Sequence, residues 1–414
     1  MVRINAINGG YVGNHKCTPV LKHSCFDLSR RILSIVFFTV CISIFNLSGC
    51  AIVDRGVPVP PQFTSDAHLP GYINIRYSVG NSEHQLVKEF VSAIKSVIGD
   101  GSIANVLAIS GGGADGAFGA GLLCGWTNHG SRPTFQVVTG VSTGALAAPF
   151  AFLGVKYDDQ LRNAYTHIHN DDVFVTRNIF AMFRGDSLTT TGPLYHTISR
   201  YTDDKLLAKI AKEHTRGRRL FIMTTDLDAQ RPVVWNMGSI ATSGQPDSLN
   251  LFRRIIIASA SIPVVFPPQY LKVEAHGEEF TEMHVDGGVM GQVFLHLPPL
   301  KETLVKANKQ KVRAYVIRNS KVAGEYSAMT PLILPILTRT VATLVRTQGI
   351  GDLYEIYEQA KKGNAEYRLA YVPDDFKTDH HDMFEPEAMK KMFDAAYSMA
   401  AKGYPWRDRP PEVM

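Results

Sequence analysis

The serine at position 142 lies in a segment whose composition could support nucleophilic chemistry, Gly140-Val141-Ser142-Thr143-Gly144. A short apolar run that predicts a strand precedes it, and an alanine-rich run that predicts a helix follows it. This context favours a nucleophile elbow, a sharp turn that holds a serine in a strained backbone conformation. Gly140 and Gly144 lack the Cβ atoms that would clash where strand and helix converge. The N-terminus of the following helix favours developing negative charge, so Ser142 is a candidate nucleophile.

A glycine-rich segment, Ser110–Gly116, stands about thirty residues earlier between another predicted strand and helix. Contiguous glycines let several backbone N–H groups point into one cavity, so Gly111, Gly112 and Gly113 are candidates for an oxyanion hole. The spacing up to Gly116 also satisfies the dinucleotide-binding pattern. That pattern requires a carboxylate about 20 positions further on for the ribose. The sequence has none at the end of the second strand, and we expect no cofactor.

Asp286 is the third candidate, in Val285-Asp286-Gly287-Gly288 at the end of a predicted strand. A carboxylate at the carboxyl edge of a sheet can lie over an elbow and activate its serine. Taken alone, an Asp-Gly pair indicates only an ordinary turn. The interpretation as a catalytic group therefore depends on the other two segments.

The three segments in this order resemble the motifs of the patatin-like phospholipase family. Two further segments strengthen the resemblance, Ala258–Pro268 with its Ser-x-Pro-x-x-Phe-Pro-Pro pattern and Thr225-Asp226-Leu227. The resemblance covers residues 104–300. It implies an α/β fold with three α/β/α layers and a mostly parallel central sheet.

The resemblance also implies the roles of the site residues. Ser142 would be the nucleophile and Asp286 its only side-chain partner, a Ser–Asp dyad without histidine. The N–H groups of the Gly111–Gly113 loop would bind the oxyanion. The implied substrate is a lipid, because the family hydrolyses acyl esters of phospholipids or other glycerolipids through an acyl-enzyme. Glycines at other motif positions would support the turns: Gly116, Gly140, Gly144, Gly287 and Gly288.

Asp115 departs from the family pattern, which usually has arginine or lysine there. Its carboxylate is expected either to cap the following helix, stabilising it by about 1 kcal/mol, or to face the pocket and disfavour anionic head groups. Ester hydrolysis is therefore a firmer expectation than phospholipid preference. A soluble-ester esterase or thioesterase, and a catalytically silent envelope scaffold of the same fold, remain alternatives.

A Ser–His–Asp triad would need a histidine near Ser142. His296 lies in an apolar run typical of strand or core packing. His380 and His381 are expected in a solvated turn rather than a metal site, because adjacent residues cannot easily present two imidazoles to one tetrahedral ion. His284 shares a strand face with Asp286 and could orient it, although a satisfied, partly buried histidine is the default interpretation.

Alternating strand and helix patterns must position these residues. Strands are predicted at 106–110, 137–139, 220–225, 233–235 and 312–318, and helices at 83–98, 117–126, 145–153 and 250–258. Such alternation with apolar strands indicates a mostly parallel sheet covered by helices. Helices at 332–362 and 386–401 are predicted to form a C-terminal cover.

The N-terminal region predicts export and lipid attachment. Fourteen uncharged residues, Ile32–Phe45, follow two arginines. The run is too short to span a bilayer, which takes about 20 apolar residues, and it fits an export signal. The segment Leu47-Ser48-Gly49-Cys50 resembles the lipobox of bacterial lipoproteins. We therefore expect a membrane anchor at a lipidated Cys50 and a location in the bacterial cell envelope, on the periplasmic face of the outer membrane.

The predicted organisation has five parts: a signal peptide at 1–49, a proline-rich tether at 50–82, an N-terminal helix at 83–103, the catalytic domain at 104–300, and a C-terminal strand with helical cover at 301–414.

Composition narrows the function further. The chain has 414 residues, a net charge of +5 and five cysteines. Five cysteines in so long a chain exclude a disulfide scaffold, and Cys124 is expected to be a buried thiol. The signal peptide carries +4 of the charge, so about +1 remains on the mature chain. With no interleaving of aromatic and basic residues, we expect no nucleic-acid partner. The sequence predicts no oligomeric state.

Overall fold

The computed structural model describes residues 55–78, 82–97, 103–176, 186–297, 312–377 and 384–412. The predicted signal peptide, Cys50, and the pair His380 and His381 lie outside the described residues.

A mixed sheet of nine strands forms the centre of the described structure, in the order β1-β7-β6-β3-β2-β10-β11, with β9 also pairing with β6 and β8 pairing with β9. The two remaining strands, β4 and β5, form a small separate ribbon. The strands are β1 (Arg76–Ser78), β2 (Ala104–Ile109), β3 (Val137–Gly140), β4 (Val175–Thr176), β5 (Thr189–Thr190), β6 (Arg219–Asp226), β7 (Arg231–Asn236), β8 (Gln269–Ala275), β9 (Glu278–Asp286), β10 (Val312–Arg318) and β11 (Glu366–Tyr371).

Five neighbouring strands, β6, β3, β2, β10 and β11, run parallel. Ile109 at the end of β2 pairs with Gly140 of β3 on one side and with Ile317 of β10 on the other. The carboxyl ends of these strands therefore meet at one edge of the sheet. Strand β9 runs antiparallel to β6 and pairs Asp286 with Thr224, which brings the aspartate to the same region.

Helices cover both faces of the sheet. They are α1 (Glu83–Lys95), α2 (Gly116–Asn128), α3 (Thr143–Leu153), α4 (Asp158–Thr166), α5 (Asn170–Val173), α6 (Gly192–Tyr201), α7 (Asp204–Thr215), α8 (Met237–Thr242), α9 (Ser248–Ser259), α10 (Ile333–Gly363) and α11 (Pro386–Ala401). None of the helices in the described ranges has the length and apolarity needed to cross a membrane.

Alternate residues of β2 contribute to two separate cores, as the period of two in a strand requires. Val106 and Ala108 pack with α1 and the C-terminal half of α10. Leu107 and Ile109 pack with α2, α3 and α11 on the opposite face. The result is three layers, α/β/α, with a mostly parallel sheet, and it confirms the predicted fold class.

The C-terminal region contributes to the sheet as well as covering it. Strand β10 pairs directly with β2, and β11, which the sequence pattern did not predict, pairs with β10. Residues Val53–Met414 form one compact unit. The structural body thus extends well beyond residue 300, where the predicted catalytic domain ended.

Candidate active site

Ser142 occupies the turn between β3 and α3 with φ 53° and ψ −124°. A positive φ at a residue other than glycine costs on the order of 1–3 kcal/mol, so the surrounding structure must hold it. The Ser142 N–H donates to Ser259 Oγ at 2.9 Å, and Ser259 Oγ donates to the Met223 carbonyl at 2.7 Å. Ser259 thus ties the serine to β6. Ser259 belongs to the Ala258–Pro268 segment, so one function of that segment is to hold the turn that carries Ser142.

The glycines on either side of Ser142 allow the close approach that the turn requires. A Cβ atom at Gly140 would lie 2.4 Å from the Gly144 carbonyl oxygen, and one at Gly144 would lie 2.3 Å from the Ile109 carbonyl oxygen. Because these neighbours are backbone atoms, neither clash could be relieved by moving a side chain. The Gly-x-Ser-x-Gly spacing is therefore a packing requirement of this strand and helix.

Asp286 lies at the end of β9 with its side chain against the serine. The carboxyl accepts the Gly288 N–H at 2.7 Å and a hydrogen bond from the Ser142 side chain. The backbone is fixed as well, since the Asp286 N–H donates to the Ser261 carbonyl and the Thr225 hydroxyl donates to the Asp286 carbonyl, both at 2.9 Å. The structure therefore brings together the two residues that the sequence proposed as a pair.

Burial raises the pKa of Asp286 to about 7, and the hydrogen bonds from Ser142 and Gly288 oppose that rise by favouring the ionised form. A carboxylate with an ordinary pKa near 4 would be a weak base at neutral pH. A group whose pKa lies close to the working pH is the more effective general base. The environment of Asp286 thus suits it to accept a proton from the serine hydroxyl.

The prediction that all three N–H groups of the Gly111–Gly113 loop bind the oxyanion is wrong for Gly111. The Gly111 N–H already donates to the Gln292 carbonyl at 2.9 Å, so it is not free to bind an oxyanion. Within the described ranges, neither the Gly112 nor the Gly113 N–H has an acceptor, and Gly113 lines the same cavity as Ser142. These two N–H groups are the candidates that the loop retains.

Thr143 is a further candidate donor that the sequence pattern had not singled out. It is the first residue of α3 and lines the cavity beside Ser142. The first N–H groups of a helix have no intrahelical partner. In nucleophile-elbow enzymes, the N–H of the residue after the serine is one of the oxyanion donors. Its place directly after the serine is the signal that could have identified it.

Asn319, the residue that follows β10, holds the glycine loop in place. Its backbone N–H donates to Ser110 Oγ at 2.8 Å and its side-chain Nδ2 donates to the Ser110 carbonyl at 2.9 Å. Its Oδ1 accepts the Gly119 N–H at 3.0 Å. A Cβ atom at Gly112 would lie 1.9 Å from the Asn319 carbonyl oxygen, so only glycine fits there. Local sequence does not mark Asn319, because its partners lie about 200 positions away.

A small apolar cavity of about 50 Å³ opens next to Ser142. Gly113, Ser142 and Thr143 line its polar end. Its walls include the side chains of Leu146, Ile168, Val173, Leu194, Phe266 and Phe384. The apolar lining suits a hydrocarbon chain. The sequence did not predict this cavity, because its walls come from distant elements.

Asp115 occupies neither of its two expected positions. It precedes α2, but its side chain makes no capping hydrogen bond to that helix, and it is not among the residues that line the cavity described here. Burial raises the pKa of Asp115 to about 7, with a further rise from Glu325 and an opposing effect from Lys321. Its charged neighbours are thus in the segment that follows β10.

His284 does not orient Asp286. It is fully buried, with Nδ1 2.9 Å from Thr224 Oγ1 and Nε2 3.0 Å from Glu282 Oε2. The Glu282 carboxylate also pairs with Arg76, which together with His284 holds the pKa of Glu282 below its usual range despite burial. His284 is therefore part of a buried polar network, in agreement with the default interpretation.

His296, another candidate for a triad, does not reach the site either. His296 Nε2 lies 3.6 Å from a carboxylate oxygen of Glu83. Across the described ranges, no histidine is hydrogen-bonded to Ser142 or Asp286. The same ranges contain no cluster of His, Cys, Asp and Glu that could hold a metal ion.

An elbow serine beside a buried carboxyl, at the mouth of an apolar cavity on an α/β/α fold, is the arrangement expected of a serine acyl hydrolase. Residues 107–297 match the family model described as Patatin-like phospholipase. This segment is therefore a patatin-like phospholipase domain.

Comparison with solved structures finds VipD from Legionella pneumophila, 11% identical, covering 72% of this chain and 66% of VipD with a TM-score of 0.38. It also finds full-length ExoU, in complex with SpcU from the type III secretion system of Pseudomonas aeruginosa. That chain is likewise 11% identical, with 72% of this chain and 52% of that chain covered and a TM-score of 0.30. The chain thus spans less than two thirds of the length of either. No curated protein matches it.

Proposed function

We propose that the protein hydrolyses carboxylic ester bonds of phospholipids or other glycerolipids through an acyl-enzyme on Ser142. The observation that carries the proposal is the placement of Ser142, on a strained elbow, beside the buried Asp286 carboxyl and an apolar cavity. The acyl chain would enter along the apolar walls of this cavity, which leaves the ester carbonyl at its polar end, next to the serine.

In the proposed mechanism, the ionised Asp286 carboxylate accepts the Ser142 hydroxyl proton as Oγ attacks the ester carbonyl carbon. The negative charge that develops on the carbonyl oxygen accepts hydrogen bonds from the N–H groups of Gly112, Gly113 and Thr143. Collapse of this intermediate breaks the ester bond, and the proton on Asp286 passes to the departing glycerol oxygen. Water then attacks the acyl-enzyme with Asp286 again as base, which releases the fatty acid and restores the serine.

The position of Asp115 bears on the head group. A carboxylate in the pocket would repel a phosphate, but Asp115 is not a lining residue of the cavity and its charged neighbours are Glu325 and Lys321. Asp115 therefore does not line the part of the site proposed for the acyl chain, and phospholipids stay among the proposed substrates.

Incubation of the purified protein with a mixed glycerolipid extract, followed by mass spectrometry of released fatty acids and lysolipids, tests the proposal. Ser142→Ala is expected to abolish release and to abolish labelling by a fluorophosphonate probe. Ser239→Ala, which removes a partly exposed hydroxyl from α8, serves as the matched control and should retain both. If native protein is neither labelled nor active, it is a catalytically silent member of the fold. If Ser142→Ala keeps its activity, the nucleophile is wrong.

We also propose that the mature chain is anchored to the periplasmic face of the bacterial outer membrane through a lipidated Cys50. The support is the sequence pattern alone, an uncharged run ending at Leu47-Ser48-Gly49-Cys50. Metabolic labelling with an alkyne palmitate should mark the native protein and the control Cys124→Ala, but not Cys50→Ser. If Cys50→Ser were labelled as strongly as the native protein, the proposed lipid attachment at Cys50 would be wrong.

A further inference from the structure

The segment between β10 and the buried half of α10 has an unusual composition. From Tyr326 to Gly351 the chain contains no aspartate or glutamate, and its only charged side chains are Arg339 and Arg346. Leucine, isoleucine and valine occupy much of the remainder. A surface segment with apolar side chains and only positive charges is typical of helices that lie in the membrane interface.

The apolar side chains of this segment are exposed. Eight of the fourteen exposed large hydrophobic side chains in the described ranges lie between Tyr326 and Leu344. Ile333 is 87% exposed and Leu344 is 64% exposed. An exposed apolar patch of this kind on a soluble body indicates an interaction site.

Four of the exposed residues share one helix face. Ile333, Ile336, Leu337 and Leu344 lie within α10 at spacings of three, four and eleven residues, which places them on the same side of the helix. Further along α10, Leu353, Ile356 and Ala360 are buried against the sheet. One helix thus has an anchored C-terminal half and an N-terminal half whose apolar residues are exposed.

The boundary between the two halves lies against the turn that carries Asp286. A Cβ atom at Gly288 would lie 3.8 Å from Val345 Cγ1, and the Gln348 side chain donates to the Met290 carbonyl. Further along the helix, Asp352 accepts the Gln292 N–H at 2.7 Å. Whatever binds the exposed half of α10 is therefore brought close to the catalytic turn.

The charge of the segment favours an anionic surface. The Arg339 side chain donates to the Glu325 carbonyl at 2.5 Å and that of Arg346 to the Val322 carbonyl at 2.7 Å. Neither forms an ion pair with an acidic side chain of the described ranges. Both retain their positive charge, which anionic lipids attract. A second copy of the same surface would instead bring like charges together.

We propose that residues 326–345, the docking segment, insert their apolar side chains into the interface of an anionic lipid bilayer and so hold the Ser142 site at the membrane. The inference rests on the proposed function, since a lipid ester in a bilayer must reach the cavity beside Ser142. It adds a membrane contact that is independent of Cys50 and belongs to the folded body.

The double substitution Ile333→Asp with Leu337→Asp tests the proposal, because both positions are exposed and the charge opposes insertion. The matched control is Ile73→Asp with Val155→Asp, at two exposed apolar positions elsewhere. We expect the docking variant to hydrolyse phosphatidylcholine vesicles with 30% phosphatidylglycerol at least tenfold more slowly than the control. Hydrolysis of the soluble ester p-nitrophenyl butyrate should stay within twofold.

Vesicle flotation separates this inference from the proposed function. All three proteins carry Cys50→Ser, so that the proposed lipid anchor does not itself attach them to the vesicles. In this background Ser142→Ala should float with the same vesicles as the otherwise native chain, and the docking variant should float several-fold less, whether or not the protein is an esterase. Equal flotation and equal vesicle hydrolysis by the docking variant would overturn the inference. The inference would also be overturned if the docking variant bound vesicles normally but lost a self-association that light scattering detects in the native protein. The segment would then bind a second copy of the chain. A tenfold loss on the soluble ester would equally overturn it, because the effect would lie in the site.

Discussion

Replacing Asp286 by asparagine should make the protein more stable while it removes activity. Burial raises the pKa of Asp286 to about 7 in the folded protein, against 3.8 for the group in solution. The folded state therefore holds this proton more tightly than the unfolded chain does. As the pH rises from about 4 to 7, ionisation of Asp286 opposes folding and the free energy of unfolding falls. Asparagine keeps an acceptor for the Gly288 N–H but does not ionise.

The size of the effect follows from the difference in pKa. About three pKa units at 1.36 kcal/mol per unit correspond to about 4 kcal/mol once the pH exceeds 8. Unfolding entropy is about 2.1 cal/mol/K per residue, which for the compact unit Val53–Met414 gives roughly 0.8 kcal/mol/K. The Tm of Asp286→Asn should therefore exceed that of the native protein by about 5 °C at pH 8–9, and the two should coincide at pH 4.

Thermal unfolding followed by circular dichroism between pH 4 and 9 measures this difference. Asp375→Asn, which removes an exposed carboxylate, is the matched control and should follow the native curve. A constant difference in Tm at all pH values would show that the effect is steric and not due to ionisation. A lower Tm for Asp286→Asn at pH 9 would refute the reasoning, since the buried charge would then stabilise the fold.

Further outcomes follow from the same geometry. Measured on a soluble ester, kcat/KM should rise with pH and level off above about 7, because Asp286 must be ionised to accept a proton; a flat profile from pH 5 to 9 would contradict its role. Asn319→Ala removes the side-chain hydrogen bonds to Ser110 and Gly119 and should lower kcat by roughly ten- to a hundredfold. An unchanged kcat would show that the glycine loop keeps its conformation without Asn319. Gly112→Ala should abolish turnover and lower the Tm, since its Cβ would lie 1.9 Å from a carbonyl oxygen; a fully active variant would contradict this packing. His284→Ala should destabilise the fold by about 2–3 kcal/mol in denaturant titrations yet keep kcat within a few-fold, whereas loss of kcat would indicate a triad.

The inner strands and β7 could be predicted from the sequence, whereas β1, β8 and β11 could not. Strands β2, β3, β6 and β10 are buried apolar runs, and the predicted bounds of β10 match the observed Val312–Arg318. Strand β11, Glu366–Tyr371, mixes charged and apolar residues at the edge of the sheet. Such a strand depends on its neighbour for its structure, so a local pattern carries little information about it.

The residues of the site likewise divide into those that a local sequence pattern marks and those that it does not. Ser142 and Asp286 could be proposed because each lies in a short segment with a recognisable glycine pattern. Asn319 and Gln292 hold the glycine loop through hydrogen bonds that join residues far apart in the chain, and local sequence does not mark them. The surroundings of Asp115 could not be predicted either, because its charged neighbours, Glu325 and Lys321, lie about 200 positions away in the chain.

The hydrogen bonds of Asn319 to the glycine loop have a consequence for the order in which the protein folds. Chains are made from the N-terminus, and N-terminal regions generally fold first. Here β2 lacks its partner β10, and the glycine loop lacks Asn319, until more than three quarters of the chain has been synthesised. Residues 107–297 alone would leave one edge of β2 open to pairing with other chains. We therefore expect residues 107–297 to be inactive when expressed alone, and the proposed hydrolysis to require that the C-terminal strands have joined the sheet.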